Sequence, residues 1–168
     1  MSVADQLGLE DQASELLVLA DQRWCHWAAT YPALTCISGL GDLRSWLVGA
    51  GKAEADQVLH ALAILAAVDG GDDLPAAAVL AWALIPGACL VASRLRSLAP
   101  GHIDEIVAAQ WWVQVRTFQW QRLRRVAANI LADTRKGVLP GCVVTSQPEP
   151  RALPGRGTDP HHPPPAPR

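Results

Sequence analysis

The stretch LPAAAVLAWALIPGACLVAS, residues 74–93, runs for twenty residues without a charged side chain. That is long enough to reach across a bilayer core. Its composition argues for a different place. Alanine fills seven of the twenty positions, Pro75 and Pro86 interrupt the run, and it continues directly into Arg94-Leu95-Arg96. The reading is a buried helix kinked at its internal proline. Asp72 or Asp73 caps its start, Pro75 is tolerated in its first turn, and it extends to about Leu98. A helix that is apolar on every side belongs at the centre of a bundle. The fold class that follows is all-α: a helical bundle of five to six helices.

Working outward, the flanks carry helical patterns of the amphipathic kind. Residues 3–28 place Leu7, Leu16, Leu17, Leu19, Ala20, Trp24 and Trp27 at helical spacing among acidic side chains, with Tyr31-Pro32 as the exit. A short helix follows from Asp42 as N-cap to the break at Gly49 and Gly51. A third covers roughly 53–68, with Val58, Leu59, Leu62, Leu65 and Ala66 inward, and stops at Gly70-Gly71. Beyond Pro100-Gly101 the pattern predicts helices over 103–116 and about 120–137, joined by a short turn around Phe118-Gln119. From Pro140 onward nine of twenty-nine residues are proline, and this segment, 140–168, is expected to be a disordered Pro-rich tail. The helical domain is thus 1–139, with an acidic helical N-terminal part over 1–70 and a second part over 73–139.

The charge is split along the chain. The net charge of −2 hides three basic and eleven acidic side chains in residues 1–84, against eleven basic and five acidic in residues 85–168. An anionic partner is therefore expected on the second half. Cys25, Cys36, Cys89 and Cys142 form no C-x-x-C pair and have no histidine at finger spacing, so neither a metal site nor a cofactor is expected. The four read as reduced, partly buried thiols of a cytoplasmic protein. There is no phosphate-cradling glycine loop, no G-x-S-x-G elbow and no H-E-x-x-H. Cys25 and His26 are adjacent and so point about 100° apart on a helix, a poor geometry for a nucleophile and its base. His60, inside an apolar helix, reads as a satisfied core histidine. No catalytic residues are assigned, and the expectation is that the protein is not an enzyme.

The last two predicted helices carry the functional signal. On a helix over 120–137, Leu123, Val126, Ala127, Ile130, Leu131 and Thr134 share one side. Arg122, Arg125, Asn129, Asp133 and Lys136 fall within about 80° of arc on the other, flanked by Arg124 and Arg135. Such a face suits a phosphate path, with an amide among the cations to reach a base edge. An i,i+4-paired solvated surface is the plainer account of the same residues. On the preceding helix, Ile103, Ile106, Val107, Trp111 and Val115 face inward. Trp112 then projects to the far side beside Glu105, Ala108 and Arg116, to stack a base, to anchor a partner, or to pack under the N-terminal helices. Trp120 carries the same ambiguity.

The stretch Asp104-Glu105-Ile106-Val107, the aromatic amphipathic helix it opens, and Arg125-Val126-Ala127-Ala128-Asn129-Ile130-Leu131-Ala132-Asp133-Thr134-Arg135-Lys136 resemble the conserved second region of bacterial RNA polymerase sigma factors. In that family an acidic helix precedes an arginine-rich one of the form I-A-R-N-L-A-L-D-R-L-R-R, and Val126, Ala127, Asn129 and Asp133 match it in register. The resemblance implies that Asp104, Glu105 and Trp112 face the polymerase core. It implies that Arg122, Arg124, Arg125, Asn129, Arg135 and Lys136 face promoter DNA, either double-stranded or as a melted strand. The loop that captures a flipped base in the family is expected here to shrink to about Thr117–Gln119. With no helix-turn-helix after the basic helix, the expectation is a degenerate, solitary sigma-like domain acting in transcription.

The alternative is a non-catalytic helical protein-interaction module that has lost DNA binding. In that reading the acidic N-terminal helices lie against the basic helix and mask it. A membrane location for residues 74–93 is the remaining reading, set against the expectation of no membrane partner.

Overall fold

In the computed structural model, residues 2–99 and 101–145 are described, with backbone only for 140–145. The described residues form eight α-helices, a 3-10 turn over Pro32–Cys36 and no strand. The all-α class is therefore as expected, with more and shorter helices than the apolar pattern implied.

The expected first helix is two. α1 (Val3–Leu7) ends where Gly8 takes the left-handed conformation at φ 63°, and α2 (Glu15–Thr30) begins after Ser14. A glycine adopts that conformation without penalty, so the chain turns there although the apolar spacing continues. α1 is held by a reciprocal cap: Asp5 N–H donates to the Ser2 hydroxyl, and Ser2 N–H donates to the Asp5 carboxylate. The Glu10 side chain and then Ser2, by hydrogen bonding, pull the Asp5 carboxyl down from 3.8 to about 2, and the same contact raises Glu10. A depressed carboxyl contributes stability above its unfolded value and loses it as pH falls through its folded one. The amide signals of Val3–Leu7 should therefore stay native at pH 4 and shift with a midpoint near 2. A midpoint near 4 in the amide spectrum would show that the cap is not formed. Glu10 acts with the opposite sign, its contribution being lost as pH rises through its raised value.

α3 (Leu40–Gly49) starts after Gly39, so Asp42 lies in its first turn and is not its cap. α4 (Lys52–Ala66) buries Val58, Leu59, Leu62, Leu65 and Ala66 as the periodicity required. The apolar stretch forms α5 (Leu74–Ala83) and α6 (Ile85–Leu95), bent by 60° at Leu84. Asp73 caps α5 by accepting from Ala76 N–H, and Pro75 sits in the first turn. The bend follows from Pro86. Its ring displaces the Trp82 carbonyl four residues back and supplies no N–H to it. Arg44 Nη2 from α3 donates to that carbonyl instead, and its guanidinium stacks 3.8 Å from the centre of the Trp82 ring.

Every residue of α5 from Pro75 to Ala83 is buried, packed by α2, α3, α4, α6 and α7. No single helix is long and apolar enough to cross a membrane; the bent α5–α6 pair reaches the length and composition of a span. α7 (Ile103–Arg116) packs against α1, α6 and α8, and one buried cluster runs from Val3 to Val138. On α7 the inward set is Ile103, Val107, Ala108, Trp111 and Val115. Ala108 is thus a core residue and does not lie on the outer face with Glu105.

The largest departure lies after α7. α8 spans Val126–Thr145, so it begins about six residues later than the pattern predicts and passes through Gly137. The helix continues past Gly137, which lies against the Gln110 side chain of α7, to Val138, which is buried. Residues 140–145 of the expected tail are helical, and the rest of that expectation, 146–168, lies outside the described residues.

Candidate nucleic-acid interface

The segment Thr117–Arg125 has no helix. Arg122, Arg124 and Arg125, expected on a helical face, therefore stand on a nine-residue loop, and Leu123, expected inward, is 73% exposed. The local sequence favours helix here, and tertiary contacts override it. Phe118 is buried. The Trp120 indole lies against Gly70, where its nitrogen is 3.4 Å from the position a Cβ would take. The Trp120 carbonyl accepts from His60 Nε2 at 2.6 Å. His60 is thus satisfied within the fold, as its place in an apolar helix suggested.

The end of the loop is gripped by Asp56 of α4. Its two carboxylate oxygens accept from Arg125 N–H at 2.6 Å and Val126 N–H at 2.7 Å. These are first-turn donors of α8, so Asp56 serves as an N-cap contributed from another helix. The grip holds Arg125 at φ 59°, a left-handed conformation that a residue with a Cβ adopts at a cost of about 1 kcal/mol or more. Asn129 Nδ2 donates to the Arg124 carbonyl at 3.0 Å. The amide expected to reach a base edge thus spends one N–H on fixing the loop.

What this framework presents outward is cationic. Arg122, Arg124 and Arg125 are exposed on the loop, Arg135 and Lys136 on α8, and Lys52 at the start of α4. Asp133 engages Arg122 at 3.3 Å and Lys136 at 3.1 Å. Among the described residues no carboxylate pairs with Arg124, Arg125, Arg135 or Lys52. Lys52, Arg124 and Arg125 rim an open groove of about 460 Å³ floored by Leu59, Ala127 and Ala128. Among the described residues that line this groove, Asp56 is the acidic side chain, and it holds backbone amides and leaves the guanidinium groups uncovered.

The other predicted surface lies at the opposite end of α7, about 20 Å away along its axis. Asp104 pairs with Arg96 at 3.5 Å, and Glu105 approaches His102 at 3.8 Å. Glu105 lines a groove of about 600 Å³ between α7 and α8 together with Ile106, Ala109 and Val113. Trp112 is partly buried and packed on the core, so it is not a free stacking platform. Arg116 is likewise structural: it donates to the Ala66 carbonyl at 2.7 Å and pairs with Asp72. Cys25 and Cys36 are exposed and Cys89 is partly buried, so two thiols are more open than expected; Cys142 lies among the residues described by backbone only.

Sequence reasoning missed Asp56 and Lys52. Lys52 is one of three basic residues in the acidic half, and Asp56 belongs to none of the motifs that the sequence offers. Only the fold, which joins positions 56 and 125, reveals either role. No protein-family model, curated protein or solved structure matches the chain.

Proposed function

We propose that the protein binds DNA through the Thr117–Arg125 loop and the exposed cations of α8, as a sigma-factor-like transcription protein of the cytoplasm. The observation that carries the reading is a rigidly anchored loop whose guanidinium groups at Arg124 and Arg125 are left without a carboxylate partner. Cations held in advance on an ordered loop lose little entropy on meeting phosphates. Leu123, exposed between arginines, suits insertion beside an unstacked base. The nine-residue loop is also closer to the longer base-capturing loop of the resembled family than a three-residue turn would be. In this account Asp104 and Glu105 meet the polymerase core along the α7–α8 groove.

The masked-module alternative has less in its favour, because the acidic half covers backbone amides of the loop and not its charges. With Arg122 and Lys136 already engaged by Asp133, Lys52, Arg124, Arg125 and Arg135 neutralise about four phosphates, and log K should fall with log salt at a slope of about −3.6. The test is a salt series with a labelled duplex containing a short unpaired bubble. An Arg124→Ala, Arg125→Ala double variant should flatten the slope by about two. An unchanged slope would remove the loop from the contact.

A further inference from the structure

Adjoining the Lys52–Arg125 groove, with which it shares Ala55 and Leu59, is a second cavity of about 340 Å³ lined also by Arg44, Leu47, Val48, Leu84 and Pro86. Its lining is apolar except for one cation and holds no carboxylate. Val48 on its rim is 89% exposed, the most open of the large apolar side chains. The structural duty of Arg44, to donate to the Trp82 carbonyl in place of the N–H that Pro86 lacks, needs only a neutral donor. The positive charge is surplus to that duty. Among the described residues no acidic side chain pairs with it, and its Nε is buried without a hydrogen-bond partner. Burial pushes the guanidinium below its usual range, and the nearby Cys89 thiol offsets this only in part. Stacking on Trp82 fixes its plane. A partly buried guanidinium, held by stacking at the edge of an apolar cavity, is suited to receive a carboxylate that carries an apolar body.

We propose that this cavity binds an anionic amphiphile: a single carboxylate on a flexible apolar chain of about eight to twelve carbons, its head at Arg44 and its chain along Leu47, Val48, Leu59, Leu84 and Pro86. The inference is independent of DNA binding, since it uses none of the loop cations. An acidic peptide would need charge spread over several residues, and this cavity offers one cation.

The probe is sodium decanoate, titrated calorimetrically into the full chain below its micelle threshold, with decanol and hexanoate as comparisons. Decanoate should bind at least about tenfold more tightly than hexanoate, from the methylenes it buries, and about tenfold more tightly than decanol, from its charge. Arg44→Met should abolish the preference for decanoate over decanol. Because that variant also removes the donor to Trp82, a second one, Val48→Asp, places a carboxylate on the exposed rim where folding does not depend on it. It should weaken decanoate at least tenfold and decanol little. Equal binding of decanoate and decanol to the wild type would overturn the proposal and leave Arg44 a structural residue only. Absence of decanoate binding would overturn it as well, and binding of an acidic amphipathic peptide in its stead would give the cavity to a protein partner.

Discussion

Replacing Trp111 with alanine should cost about 3–5 kcal/mol of folding stability, the range for emptying a fully buried aromatic site. Trp111 has no solvent exposure and sits in the middle of α7, the helix that packs on α1, α6 and α8. Domains of this size are stable by about 5–15 kcal/mol in all, so the variant should lose about a fifth of its margin or more. Trp111→Phe makes the prediction sharper. The indole N–H of Trp111 is buried with no hydrogen-bond partner among the described residues. Phenylalanine keeps most of the packed surface and deletes that orphan donor, whose burial costs about 1–3 kcal/mol. The smaller ring leaves a partial cavity, and the two effects should cancel to within about 1 kcal/mol. Urea denaturation followed by circular dichroism measures both. A loss below about 1 kcal/mol for the alanine variant would mean that α7 is not central to the core.

The second large effect belongs to Asp56. Asp56→Ala leaves Arg125 N–H and Val126 N–H without their acceptor, and Val126 is buried. Loss of an N-cap costs about 0.5–2 kcal/mol, and a stranded buried amide about 1–3 kcal/mol, so the sum should be about 1.5–5 kcal/mol. Asp56→Asn keeps one accepting oxygen and should recover about half. The effect on DNA binding should be of a different kind. The cations remain, so the salt slope stays near that of the wild type, while affinity falls because the loop must be ordered on binding. Amide exchange at Arg125–Ala128 should accelerate in Asp56→Ala. Unchanged exchange and unchanged stability would together show that the carboxylate does not hold the loop.

Features with local causes were legible in the sequence. Asp73 caps α5, Pro75 occupies its first turn, and Pro86 bends the apolar stretch, each from chemistry within a few residues. The stripe of α4 was equally plain, because a 3.6-residue period reports burial directly. The candidate interface was legible only in composition. The cations at 122, 124, 125, 135 and 136 were identified; 135 and 136 lie on α8 as expected, whereas 122, 124 and 125 stand on a loop and not on the helix. Gln121 to Arg125 has good helical propensity, and nothing nearby in the chain opposes it. What opposes it is the distant set of Asp56, His60 and Gly70, which draws Arg125, Trp120 and the loop onto α4 and the turn after it. The same long-range cause turned Asn129 from a base reader into a prop for Arg124. Arg44 was invisible for a related reason, since its partner is the Trp82 carbonyl, thirty-eight residues away.

The most direct test of the central claim, that the anchored loop is the DNA-binding surface, is a backbone amide chemical-shift map recorded as bubble-containing duplex DNA is titrated into the full chain at low salt. The account predicts that the shifts concentrate at Thr117–Arg125, with smaller ones at Lys52 and Arg135, and that they disappear at high salt. Shifts confined to other surfaces, or none at concentrations where an electrostatic complex must form, would contradict it.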